Sequence, residues 1–354
     1  MYSGHGGNLS EVQEKYGWCS EEVIDFSTNV NPLGIPPSAL KAFENSFKEV
    51  GAYPDSQSRT LLRKASAHYA LSSTEILAGN GTTEFIFLIP RVFPVSSVLI
   101  FSPTYSDYET SAKLAGCQVH FGGSNLRPSI HDFHSILLEH RGKVKLVFLC
   151  NPNNPTGVCF SAEQVRWLIQ RHPSFLFVVD EAYIDFVNAP AASLLNFPLE
   201  KNVIVLKSLT KIFNIPGLRL GFAFASEALI QKLEHFKEPW TVNTPAQKVG
   251  EALLDEKSFL DETRIFVEKS KAGLFHLLNQ FKELEPFTSE ANYFLIRLVG
   301  ELKAEALKRD LLKEKILIRS CHQWRGLGPD FFRIAVKKEE DHHRLFAVLR
   351  QKIK

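Results

Sequence analysis

Three short segments do most to limit what this chain can fold into. Residues 145–150 (Lys-Leu-Val-Phe-Leu-Cys), 176–179 (Leu-Phe-Val-Val) and 203–207 (Val-Ile-Val-Leu-Lys) are almost continuously apolar, and each is followed closely by polar residues. A strand buried on one face alternates apolar and polar residues. Unbroken apolar runs of this length instead fit strands covered on both faces, as in a parallel sheet with helices on either side. The same rhythm extends to their neighbours. A glycine turn at 79–83 leads into an apolar helix over 85–92, strands are predicted over 98–101 and 118–121, and helices over 105–115 and 161–170. Strands alternating with helices predict a doubly wound α/β sheet.

The two ends of the chain read differently. Residues 1–10 are polar and glycine-rich, and a short amphipathic segment runs to Tyr16. A brief strand at 24–26 enters a polar turn stopped by Pro32 and by Pro36-Pro37, after which Ser38 is the expected cap of a helix over 38–49. A helix is expected over 61–69. Beyond Gly221 come a strand, helices over 227–236, 245–254 and 259–282, and strands over 292–297, 316–319 and 332–336 with helices between them. This is the pattern of a smaller α+β domain that the N-terminal residues complete. The expected division is an N-terminal arm over 1–45, a large α/β domain over 46–245 and a C-terminal α+β domain over 246–354.

With 354 residues, 44% of them hydrophobic and 23% charged, the chain can bury a substantial core. Its formal charge of +2 gives no broad basic surface for nucleic acid or anionic lipid, so any cationic function must be local. Five scattered cysteines with no Cys-x-x-Cys pair argue against a disulfide framework or structural zinc and fit a reducing compartment. The start of the chain lacks a basic and apolar leader, and no apolar run reaches the ~20 residues of a membrane span. A cytoplasmic location is expected. His131, His134, His140, His172, His342 and His343 show no metal-ligand spacing and read as surface residues.

The residues able to do chemistry fall at strand ends. Lys211 lies between Ser208 and Arg219 in the stretch 207–222. A lysine there can form a Schiff base with an aldehyde cofactor if desolvation and cationic neighbours keep its amine partly neutral, and Ser208 and Arg219 can take a phosphate. Asp180 follows the apolar run 176–179, where open α/β sheets bind ligands, and Tyr183 comes three residues later. Asn154 sits in the turn Asn151-Pro152-Asn153-Asn154-Pro155-Thr156-Gly157, which also fits a purely structural turn. Gly79-Asn80-Gly81-Thr82-Thr83 has the form of a phosphate cradle at a helix start. It is not Gly-x-Gly-x-x-Gly, which disfavours a dinucleotide.

Taken together and in this order, these motifs resemble the fold-type-I pyridoxal-phosphate enzymes of the class I/II aminotransferase group over essentially the whole chain. The resemblance implies a doubly wound, mostly parallel seven-stranded sheet and pyridoxal 5'-phosphate as cofactor. It implies Lys211 as the lysine that takes the cofactor and carries protons, Asp180 as partner of the pyridine nitrogen, and Tyr183 and Asn154 as ligands of the ring's 3-oxygen. Gly81, Thr82, Thr83, Ser208 and Arg219 would form the phosphate cup and Tyr105 would stack on the ring. Tyr53, in Tyr-Pro-Asp, would reach the phosphate site of a neighbouring subunit, which implies a homodimer with shared active sites.

Two further stretches are similar to threonine-phosphate decarboxylases. One is His5-Gly6-Gly7-Asn8 with residues 25–34; the other is Ile316-Leu317-Ile318-Arg319-Ser320-Cys321 with Arg333 beyond it. By that resemblance His5, Gly6, Asn29, Asn154, Arg319 and Arg333 would bind a small phosphorylated amino acid. The expected reaction is decarboxylation of L-threonine O-3-phosphate to (R)-1-amino-2-propanol O-2-phosphate in cobalamin biosynthesis. The alternative is a histidinol-phosphate or aromatic amino-acid aminotransferase. Arg325 is a departure from the pattern, a charge with no expected place.

Overall fold

In β-strands successive side chains point to opposite faces, and here each face of the central strands meets its own core. The computed structural model describes residues 6–93, 95–123, 125–189 and 192–353; the expected ligand His5 lies outside them. The strands are β1 (Ile24–Asp25), β2 (Ile76–Gly79), β3 (Ser97–Phe101), β4 (Gln118–Gly122), β5 (Leu146–Cys150), β6 (Leu176–Asp180), β7 (Val203–Ser208) and β8 (Gly221–Ala225). They continue with β9 (Leu284–Pro286), β10 (Tyr293–Leu298), β11 (Ile316–Leu317), β12 (Arg319–Ser320) and β13 (Phe331–Ala335). Leu99, Val147, Leu149, Phe177, Val179 and Val205 pack into one apolar cluster. Their sequence neighbours Val98, Ile100, Phe148, Val178, Ile204 and Leu206 pack into a second. That two-sided burial is the reason the runs are apolar without interruption.

These strands form a seven-stranded sheet in the order β2-β8-β7-β6-β5-β3-β4. The pairs β3–β4, β3–β5, β5–β6 and β6–β7 are parallel, while β8 runs antiparallel to both its neighbours. Between β3 and β5 the order reverses, and in open sheets the crevice at the carboxyl ends around such a point holds ligands. A second, antiparallel sheet has the order β12-β13-β10-β9. The N-terminal segment reaches this part of the molecule through parallel pairing of β1 with β11. Phe26 is fully buried there among Leu274, Phe294, Ile318 and Phe332.

Several local expectations shift. The helix expected from Ser38 spans Pro37–Ser46, with Pro36 in the cap position and Pro37 at the first helical position, where proline is favoured because the N–H it lacks would be unsatisfied anyway. Ser38 therefore caps nothing, and its buried hydroxyl has no partner. A helix over Ile130–Glu139 goes unread in the sequence although Ser129 and Asp132 form a reciprocal capping box at its start. The supposed domain boundaries at 45/46 and 245/246 fall inside the helices Pro37–Ser46 and Thr244–Leu253. His172 and His342 are buried, not on the surface. His172 Nε2 lies 2.9 Å from His134 Nδ1, and His342 Nε2 accepts the Lys337 backbone N–H at 2.8 Å.

Asn31 links the N-terminal turn to the rest. Its backbone N–H donates to the Lys211 carbonyl at 2.9 Å, and its amide donates to the Ile212 carbonyl and the Thr263 hydroxyl, both at 2.7 Å. Asn31→Ala removes a buried donor and strands two buried acceptors, so unfolding stability should fall by about 2–3 kcal/mol. Denaturant titration of the variant checks this, and an unchanged midpoint would contradict it.

Candidate active site

Residues just past the carboxyl ends of β3, β5, β6 and β7 enclose a cavity of about 220 Å³ together with parts of the N-terminal segment and the small sheet. At the end of β7 the Ser208 hydroxyl accepts the Thr210 backbone N–H at 3.3 Å and bonds the Thr210 hydroxyl at 2.7 Å, starting the short helix Leu209–Ile212. That turn brings Lys211 to the cavity. Burial lowers its pKa from 10.5 to about 8, and the positive charges of Arg333 and Arg219 push the same way against a weaker opposing pull from Asp25. The amine is therefore neutral in a substantial fraction of molecules slightly above neutral pH.

One end of the cavity is built for an anion. Thr82 and Thr83 open the eleven-residue helix Thr82–Val92, whose first N–H groups lack helical acceptors. They border the cavity with Ser208 and Arg219. Gly81 is needed for close approach: a Cβ there would lie 2.6 Å from Arg219 Nη2, and its φ of +74° favours glycine. The turn is held from behind, since Glu84 accepts the Asn80 backbone N–H at 2.6 Å and pairs with Lys237 at 3.6 Å.

The middle is walled by Tyr105 and floored by Asp180 and Tyr183. Asp180 Oδ2 accepts from the Tyr108 hydroxyl at 2.7 Å and Oδ1 accepts from the Ala182 N–H at 3.0 Å. Burial raises the Asp180 pKa, and these two donors oppose that rise. The Tyr183 hydroxyl accepts from the Asn29 amide at 3.4 Å. Burial raises the Tyr183 pKa while the Arg333 charge and the Asn29 bond lower it.

Two further arginines border the cavity. Arg333 is buried, donating from Nη1 to Asn154 Oδ1 at 2.5 Å and from Nη2 to the Ser27 carbonyl at 2.7 Å. Arg319 stands directly opposite Arg333 in the β12–β13 register, and both guanidinium groups lie over the Trp324 ring, at 5.8 and 5.7 Å. Like charges paired across strands repel, and burial with the Arg333 charge lowers the Arg319 pKa. An anion between them relieves that repulsion. Gly6 also borders the cavity, so close to Ser27 that a Cβ would meet its carbonyl oxygen at 2.4 Å.

The sequence-based candidates Gly6, Asn29, Thr82, Thr83, Tyr105, Asn154, Asp180, Tyr183, Ser208, Lys211, Arg219, Arg319 and Arg333 thus converge on one cavity, with Gly81 against Arg219. Tyr53 does not join them: it is 83% exposed, with its ring 5.1 Å from Trp240. Arg325 lies outside the cavity lining, over the Phe121 ring at 3.8 Å and paired with Glu109 at 3.3 Å, so it leaves the anion end unaltered. Tyr108, Trp324, Ser27 and Thr28 line the cavity without having been singled out. For Tyr108 a sign was present, because Tyr105-x-x-Tyr108 is a spacing that brings side chains together on a helix. Among the described residues, no group of three or more His, Cys, Asp or Glu side chains is placed to hold a metal ion.

The family model described as aminotransferase class I and II matches residues 21–349. The chain belongs to this family. Among its relatives, a bifunctional adenosylcobalamin biosynthesis protein of Leptospira interrogans is 32% identical over 96% of the chain; the match spans 40% of that longer protein. The threonine-phosphate decarboxylase of Salmonella typhimurium is 31% identical, covering 98% of this chain and 96% of that protein. The histidinol-phosphate aminotransferase of Methanothermobacter thermautotrophicus is 30% identical, with 97% and 92% covered. In solved structures, the histidinol-phosphate aminotransferase of Clostridium acetobutylicum (28% identical, 92% and 98% covered) superposes with a TM-score of 0.84. The L-threonine-O-3-phosphate decarboxylase of Porphyromonas gingivalis (25%, 93% and 98%) reaches the same score.

Class I and II aminotransferase family membership makes this a pyridoxal-phosphate enzyme. The cavity has the matching chemistry: an anion cradle where an added Cβ would collide, a lysine of lowered pKa and a buried carboxylate. In the apoprotein, condensation of Lys211 with pyridoxal phosphate should accelerate with pH and level off above about 8, where its amine is neutral. A rate still climbing toward pH 10.5, the ordinary lysine value, would contradict this; absorbance after rapid mixing measures it.

Proposed function

We propose that the protein decarboxylates L-threonine O-3-phosphate to (R)-1-amino-2-propanol O-2-phosphate, in the formation of the cobalamin side chain. The observation that carries this reading is the pair Arg319 and Arg333, set opposite each other in the strand register and lining the same cavity as Arg219. A substrate with both a phosphate and a carboxylate can bind each by charge-assisted hydrogen bonds. The 31% identity to a threonine-phosphate decarboxylase supports the same choice.

In this reading Thr82, Thr83, Ser208 and Arg219, with the close approach allowed by Gly81, hold the cofactor's phosphate. Asp180 faces its pyridine nitrogen, Tyr183 and Asn154 its 3-oxygen, and Tyr105 its ring face. Pyridoxal phosphate, when bound, supplies the electron sink for the negative charge left on Cα. Arg319 and Arg333 fix the substrate through its two anions and so choose which Cα substituent can leave. Asn29 and Gly6 close the substrate side, and Lys211 Nζ returns a proton to Cα once carbon dioxide has gone.

Purified enzyme given L-threonine O-3-phosphate should release carbon dioxide and form aminopropanol phosphate with no keto-acid acceptor. Amino transfer from glutamate to imidazole-acetol phosphate without carbon dioxide release would instead support the histidinol-phosphate aminotransferase reading, which the relative at 30% identity favours. Either product is identified by mass spectrometry.

We also propose a homodimer in which Tyr53 reaches the phosphate site of a second copy. Tyr53 is exposed and does not line its own chain's cavity, and Leu40, Phe43, Phe47 and Trp240 are likewise large exposed apolar side chains. Sedimentation should give twice the chain mass at micromolar concentration, and a single-chain mass counts against the shared site.

A further inference from the structure

Asp180 is 4% exposed and borders the cavity at the end of β6. An ionised carboxylate offers about four acceptor sites. Here one on each oxygen is used, Oδ1 by the Ala182 N–H and Oδ2 by the Tyr108 hydroxyl. The first donor comes from the loop directly after the strand. The second is brought from another element altogether, the helix Asp107–Leu114, on which Tyr108 is fully buried. Tyr108 is packed independently of that bond, its ring stacked on Phe148 at 4.8 Å with the planes 7° apart, and Tyr105 meets its edge at 5.6 Å.

We propose that Tyr108 is a positioning residue for the cofactor: its hydroxyl fixes the orientation of the Asp180 carboxylate and keeps it anionic, so that Asp180 can hold a proton on the pyridine nitrogen. This rests on the assignment of Asp180 to that nitrogen. The surroundings leave Tyr108 little competition. Facing Asp180 are Tyr108 from the helix, Tyr105 from the loop before it, Cys150 from β5 and Tyr183 from the turn after β6. Burial raises the pKa of all four above ordinary values, Cys150 to about 12, so each is neutral near pH 7. Tyr108 therefore donates its proton without giving it up. Burial favours the neutral carboxyl and a donated hydrogen bond favours the anion. Loss of the Tyr108 bond thus moves protonation of Asp180 to higher pH.

The test uses the holoenzyme with Tyr108→Phe, alone and together with Asp180→Asn. Absorbance of the bound cofactor is titrated with acid, and the cofactor's dissociation constant is measured by dilution. The phenylalanine ring keeps the stack on Phe148, and an unchanged Tm confirms an intact fold. In the otherwise native enzyme the dissociation constant should rise about tenfold, as for loss of a hydrogen bond to a charged group. The acid limb of the titration should move up by about one pH unit. With Asn at 180, the same substitution should change both by less than about twofold. Unchanged binding and titration in Tyr108→Phe would overturn the proposal, as would equal effects in both backgrounds, which mark a merely structural residue. Wild-type binding and absorbance in Asp180→Asn alone would overturn the assignment of Asp180 itself, and the role of Tyr108 with it.

Discussion

A buried guanidinium joins the parts of this molecule that make the cavity. Arg333 belongs to the antiparallel sheet, yet it donates to Asn154 in the turn after β5 and to the Ser27 carbonyl in the N-terminal segment. A buried cation has to be hydrogen-bonded or its desolvation is not offset. The bonds to Asn154 and Ser27 thus fasten three regions distant in sequence to one charge. The same charge acts on Lys211, adding to the burial that brings the lysine pKa to about 8. One side chain therefore contributes both to holding the cavity together and to the lysine's acidity.

The remaining parts are arranged around charge in the same way. Three cations, Arg219, Arg319 and Arg333, line the cavity together with the buried carboxylate of Asp180. The cations match anionic groups, and the uncharged residues Tyr105, Tyr108 and Tyr183 surround the carboxylate with weakly acidic hydroxyls. The result is a chamber in which burial makes a lysine lose its proton more easily and raises the pKa of an aspartate, the latter opposed by bonds donated by Tyr108 and Ala182. Desolvation sets the direction for both groups, and their neighbours reinforce it at Lys211 and oppose it at Asp180.

Most of the central sheet was legible because two-sided burial writes itself as unbroken apolar runs. The runs ending at Cys150, Asp180 and Ser208 became neighbouring parallel strands, and the candidates that follow them line a common cavity. What escaped notice depended on partners far away in sequence. Tyr108 owes its importance to Asp180, 72 residues later. Trp324 became relevant once β12 and β13 had set Arg319 and Arg333 over its ring. Arg325 looked like an extra charge at the anion end, but Phe121 and Glu109 draw it outside. His172 and His342 are buried against expectation because polarity alone does not tell whether a buried hydrogen-bonding partner awaits.

The sequence by itself determined the alternation of strands and helices, the family and with it the cofactor, since these reside in local apolar runs and in residue types fixed at strand ends. The tertiary structure alone decided what those residues experience. Burial and the approach of Arg333 and Arg219 set the lysine's acidity, strand register placed Arg319 opposite Arg333, and the helix after β3 supplied the hydroxyl that Asp180 accepts. Electrostatic fields and hydrogen bonds act through space over a few ångströms, and only the folded chain brings groups hundreds of residues apart within that distance.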